Sequence, residues 1–220
     1  ATGLDQPIAD SYDIDYVAHE VIHQLGGDHT FNSSAEGCDK NRNAATAFEP
    51  GSGSTAASYS GLCTDANLQS ASDDYFHSGS YLQVIDFVTN GDGKGCGVQT
   101  PTGNNPPAVT AGSDFTIPRG TPFTLTATGS DPDGDRVTYT WEEYDVGPAS
   151  PPETDDGMRP IFRSFRPTID PSRTFPRLRH ILDSAGRPPA TYTVGQETFL
   201  TGEALPSTTR AMKFRVLARD

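Results

Sequence analysis

The sequence predicts an α+β protein in two unlike parts, on three observations. Near the start, Ile14, Val17, Ala18, Val21 and Leu25 recur at three- and four-residue steps, the period of one helix face. From residue 123 onward the period becomes two. Phe123, Leu125 and Ala127 alternate with threonines, as do Val137, Tyr139 and Trp141, while Met212, Phe214 and Val216 alternate with Lys213 and Arg215, as in strands. Between the two patterns lies the polar, proline-rich stretch "QTPTGNNPPAV", the composition of a boundary that few contacts cross. The expected division is residues 1–100 and 101–220, with a β-sandwich in the second part.

The first helix is expected over residues 14–25. Asp13 or Asp15 can cap its start, and Gly26 and Gly27 stop it, because glycine takes the left-handed conformation at little cost. With the apolar residues on one face, His19 and His23 fall on the opposite one. Residues 30–70 are rich in Asn, Ser, Gly and Thr with little periodicity, so they predict a long ordered loop, and such loops tend to be functional. In "DDYFHSGSYLQVIDFVTN", Tyr75, Leu82, Ile85 and Phe87 lie near a helical stripe that ends at "NGDGKGCG". A second helix is therefore expected to close the first part. The chain stops at "VLARD", directly after a strand-like run, so the sandwich is expected to lack its last strand.

With 34% hydrophobic residues, 22 Gly and 18 Pro, the chain has too few apolar periodic runs for a helical bundle. The net charge of -13 argues against a nucleic-acid partner, since phosphates are bound by neutralising them with Lys and Arg. No apolar run approaches a membrane span, and no charged-then-apolar leader opens the sequence. Cys38, Cys63 and Cys96 sit in loop-like, mostly glycine-flanked contexts that suit disulfides in an oxidising, extracellular compartment. Any intrachain scheme leaves one of the three unpaired, and Cys38 with Cys63 is the expected pair.

The stretch "HEVIHQLGGDH", residues 19–29, carries the chemistry. Histidines four apart on a helix project about one turn apart and can share one tetrahedral zinc. Gly26 lets the backbone turn so that His29 reaches the same ion from outside the helix. Three neutral ligands leave a fourth position open, as a catalytic site needs. Glu20, beside His19, can face that position without being a ligand. With zinc activating water and polarising a carbonyl, and Glu20 as general base, the expected reaction is peptide-bond hydrolysis. HExxH alone arises by chance far more often than the extended HExxHxxGxxH.

HExxHxxGxxH is the metzincin signature. Together "DIDYVAHEVIHQLGGDHTFN", "NRNAATAFEPGSGST", "SYSGLC" and "SDDYFHSGSYLQV" resemble the bacterial reprolysin-like zinc metalloproteases over most of residues 1–100. The resemblance implies a secreted endopeptidase with zinc on His19, His23 and His29, Glu20 as base, and a protein or peptide substrate. It also implies a methionine in the turn beneath the zinc, where "TAASY" has Ala57. Tyr59 holds the place of a tyrosine that touches the metal or steadies the oxyanion in some metzincins. Metzincins carry an upper half before the active-site helix, but here 18 residues precede His19. The chain is thus expected to be the lower half of a metzincin-type zincin catalytic domain, unable by itself to hold a substrate as the complete enzyme would. The second part resembles the PKD-like, immunoglobulin-like β-sandwich modules that follow many secreted bacterial hydrolases, which space domains or contact surfaces and polymers.

Other candidates have blander readings. His77 is expected to be a hydrogen-bonded structural histidine rather than a ligand. Asp131, Asp133 and Asp135 of "SDPDGD" can offer carboxylates to calcium, with Glu142 eleven residues after Asp131, but Gly134 precedes the glycine position of an EF-hand. "DPDG" also fits a type I turn, the favoured reading. Residues 159–180 hold six arginines and one aspartate, which suits docking on acidic surface of the same protein better than seizing a polyanion. Asn32 opens a glycosylation sequon. Two functions follow: a secreted zinc endopeptidase, or a relative weakened by Ala57 whose β-sandwich acts as a binding or adhesive module.

Overall fold

The computed structural model describes residues 11–149, 153–184 and 187–220. The start of the stretch that carries the metzincin resemblance, residues 1–10, lies outside them. Among the described residues the strands outnumber the helical elements, though the two cover similar lengths of chain.

A π-helical turn, Asp13–Ala18, runs directly into α1, His19–Gln24. Its buried face is not the expected one. His19 and Ile22 are buried while Val17 and Val21 are exposed, and the Ala56 carbonyl meets the His19 ring. The helix ends as expected at Gly26, whose φ is +81°. The Gly27 N–H returns to the Ile22 carbonyl at 2.9 Å and the Gly26 N–H to His23 at 3.1 Å, the paired bonds of a Schellman cap.

Residues 30–70 form the expected ordered loop. A short parallel pair, β1 (Phe31–Asn32) and β2 (Glu49–Pro50), is its main ladder, and a disulfide joins Cys38 to Cys63. Cys96 is free and exposed. Asn32 is buried, and its amide donates to the Pro148 carbonyl, so its sequon presents no surface for a glycan.

The second helix, α2, spans Ser78–Thr89 and starts later than the apolar stripe suggested. Tyr75 precedes it, Leu82 and Ile85 are exposed, and the buried residues are Ser78, Gly79 and Ser80. Small residues are required there, since a Cβ on Gly79 would lie 2.5 Å from the Phe48 ring.

The strand half comprises β3 (Ala108–Thr110), β4 (Phe123–Thr126), β5 (Thr128–Ser130), β6 (Thr138–Glu143), β7 (Ser172–Phe175), α3 (Leu178–Asp183), β8 (Thr191–Val194), β9 (Glu197–Leu200) and β10 (Phe214–Arg219). Antiparallel pairs β3–β5, β4–β7, β6–β10 and β8–β9 each stop at two strands among the described residues. Hydrogen bonding therefore draws separate ladders rather than two broad sheets. Ala127, Tyr139, Trp141, Ile161, Phe162 and Phe175 make their common core. The expected in–out alternation fails on β6, where 139–143 are all buried. Tyr139 and Trp141 face this core, while Glu142 on the other face accepts from the Ser78 N–H at 2.7 Å.

Residues 98–106 are exposed and 107 is half-shielded, yet the halves are tied closely. Arg163 donates to the Leu68 carbonyl and to Gln69, the Tyr192 hydroxyl reaches the Leu68 carbonyl, and Ser54 donates to Ser164. Arg166 pairs with Asp73 and Asp74, the intramolecular docking expected of the arginine-rich segment.

Candidate metal centre

The three histidines come together from two directions. His19 and His23 lie one turn apart on α1, and the Schellman cap reverses the chain so that His29 arrives from beyond the helix. Their Nε2 atoms are mutually 3.1 Å apart. Each Nδ1 meets a main-chain carbonyl: His19 at Ala56 (2.8 Å), His23 at Gly27 (2.8 Å) and His29 at Asn41 (2.7 Å). A carbonyl only accepts, so every Nδ1 carries the proton and every Nε2 presents a lone pair to the shared centre. Three converging lone pairs repel unless a cation lies among them. The centre of such a triangle is about 1.8 Å from each corner, which lets one ion slightly off its plane meet all three at the usual ~2.0–2.1 Å. The residues present thus fit zinc, and the three form a group that could hold a metal ion.

Electrostatics favour the neutral, ligating form of His19 and His29. Burial pushes the His29 imidazole down to about 4, opposed by its bond to Asn41. Burial likewise lowers His19, against its bond to Ala56. Glu20 is exposed and close enough to act on both His19 and Tyr59. Tyr59 stands with its ring 4.5 Å from His29 and 5.6 Å from His19, packed on Phe31. Its phenol is raised by burial and then by the charge of Glu20, so it keeps its proton as a donor.

The turn beneath the site is buried almost throughout residues 51–60. Ala57 is fully buried, and its carbonyl accepts from the Thr30 N–H at 3.1 Å. Ala56 and Ala57 hold the site through main-chain oxygens, which do not depend on a methionine side chain.

The other candidates stand apart from this centre. His77 caps α2 by accepting from the Gly79 N–H, stacks on Phe48 at 5.3 Å and faces Glu142 at 3.6 Å, the structural role expected of it. Asp131, Asp133 and Asp135 lie within reach of one another, but they are engaged in a turn. The Gly134 N–H returns to the Asp131 carbonyl, Asp131 accepts from the Asp133 and Asp135 N–H groups, and Asp133 takes two bonds from Asn105.

Several partners escaped the sequence. Gln83 exchanges two bonds with Asp28 and so pins the cap to α2. Arg42, next to the carbonyl that holds His29, donates to Asn32 and to the Gly147 carbonyl of the strand half. Glu49 accepts from Thr30, Ser54 and Thr55. A lone acid in a polar loop carries no periodic signal.

Residues 2–87 match the metallo-peptidase family M12B, reprolysin-like, a stretch that contains the triad, Glu20, Glu49 and Tyr59. No curated protein and no solved structure gives a match. The family match supports a zinc-dependent metallopeptidase acting on protein or peptide. No helix among the described residues is long and apolar enough to cross a membrane.

Proposed function

We propose that the first half is the metal-binding part of a secreted zinc endopeptidase, with His19, His23 and His29 as ligands. The observation that carries this is the convergence of three Nε2 lone pairs, each fixed by a carbonyl behind its ring. Zinc, when bound, acts as a Lewis acid on a scissile carbonyl and lowers the pKa of water toward neutrality. The Glu20 carboxylate takes the proton of the attacking water and delivers it to the leaving amine. The protonated Tyr59 hydroxyl donates to the oxygen on which negative charge develops. The Cys38–Cys63 disulfide supports an oxidising, extracellular setting.

The strand half is read as a β-sandwich module that braces the metal half and can contact a surface or polymer. Asp131, Asp133 and Asp135 serve a turn in this reading, with their donors already in place, rather than calcium.

The test is zinc content together with casein cleavage, compared with Glu20→Ala. One zinc per chain and a loss of cleavage of roughly 100-fold or more in the variant are expected. Bound zinc without Glu20-dependent cleavage would sink the peptidase reading and leave an inactive relative whose strand half does the binding.

A further inference from the structure

We propose that Glu49 is a positioning residue for the histidine triad, its buried carboxylate joining the two main-chain segments that carry His29 and hold His19. The proposal rests on the metal reading above. Glu49 is 1% exposed. One carboxylate oxygen accepts from the hydroxyls of Thr30 at 2.6 Å and Thr55 at 2.5 Å. The other accepts from the N–H groups of Ser54 at 2.8 Å and Thr55 at 3.1 Å. Thr30 directly follows His29, and Thr55 directly precedes Ala56, whose carbonyl holds the His19 Nδ1–H. Main-chain bonds tighten the same link, with the Glu49 N–H on the Thr30 carbonyl and the Thr30 N–H on the Ala57 carbonyl.

The chemistry of these contacts asks for a carboxylate. All four donors are neutral, and an acceptor-only group with two oxygens takes them all. A glutamine there would turn its NH2 either toward the Ser54 and Thr55 N–H groups, which cannot accept, or toward the two threonine hydroxyls, which would then have to reverse their bonds. Gly53 lets the loop close around the group: its φ is +67°, and a Cβ on it would come within 3.2 Å of Glu49. Releasing either segment moves a carbonyl behind one ring or the root of another, which spoils a triangle that tolerates little displacement.

The experiment measures zinc affinity by chelator competition, and the visible absorption of the cobalt-loaded chain, in Glu49→Gln. Phe162→Ala, which opens the strand core, serves as the control for lost stability. We expect Glu49→Gln to weaken zinc by roughly tenfold or more and to alter the cobalt spectrum. Phe162→Ala should lower the melting temperature and change neither. Wild-type affinity and spectrum in Glu49→Gln would overturn the proposal. If that variant fails to fold, Thr55→Val carries the test: deleting one donor should shift both readouts the same way by less, and no shift in either overturns it. A wild-type chain that takes up no zinc overturns the metal reading itself, and is distinguishable because it needs no variant.

Discussion

Around the histidines, order comes from polar bonds: carbonyls behind each imidazole, hydroxyls around Glu49, and a disulfide that shares its cluster with Phe31 and Tyr59. Around Trp141, order comes from packed rings. Phe123 and Phe175 stack at 5.1 Å, Phe162 meets Phe175 edge-on at 5.2 Å, and Phe214 lies 4.7 Å from Phe175. The two regions solve different problems. A ligand site needs each donor fixed in direction, which hydrogen bonds supply and dispersion does not. A support needs only filled volume, which aromatic side chains provide cheaply. The seam joins both solutions, since Arg42 ties the loop behind His29 to residue 147.

The contrast can be broken by variants that act on one half alone. Phe162→Ala should cost about 3–5 kcal/mol in urea unfolding, the usual effect of emptying an aromatic core position, with zinc affinity unchanged. A parallel loss of zinc would mean that the core sets the triad directly. Replacing Cys38 and Cys63 with serine opens a loop of sequence separation 25 and should cost about 3 kcal/mol by loop entropy. This second variant should also weaken zinc, because Tyr59 and Phe31 pack on the same cluster.

Smaller effects sharpen the picture. Ala57→Met should destabilise by about 1–3 kcal/mol through overpacking of a fully buried position. A stabilising outcome would show that the turn has room for the residue its resemblance implies. A further effect concerns pH and the strand half. Burial pushes the Glu143 carboxyl up to about 8, with Asp145 adding and Arg210 opposing, where Glu143, Asp145 and Asp155 share the Arg210 guanidinium. The folded state therefore keeps a proton that the unfolded chain gives up near 4.5. The stability this contributes is full below that pH and is lost as pH rises through about 8. Melting temperature should fall across that window, and Glu143→Gln should flatten the slope.

How much of this was legible depends on what each role demands. The convergence of the three histidines was readable because a shared metal would need particular side chains at fixed spacing. Ala56, Gly27 and Asn41 were not, because any residue supplies a carbonyl. Helix periodicity placed the first helix but misread its buried side, since His19 is packed like a core residue once its ring is bonded. The alternation on β6 looked half-solvated because Thr140 and Glu142 are polar, although they face α2 and Arg219 rather than water.

Three neutral imidazoles, each fixed from behind by a carbonyl, are placed to hold one zinc. Equilibrium dialysis against zinc tests this most directly. We predict one tightly held ion per chain, lost in His23→Ala. Uptake well below one ion, or uptake that survives His23→Ala, would contradict it.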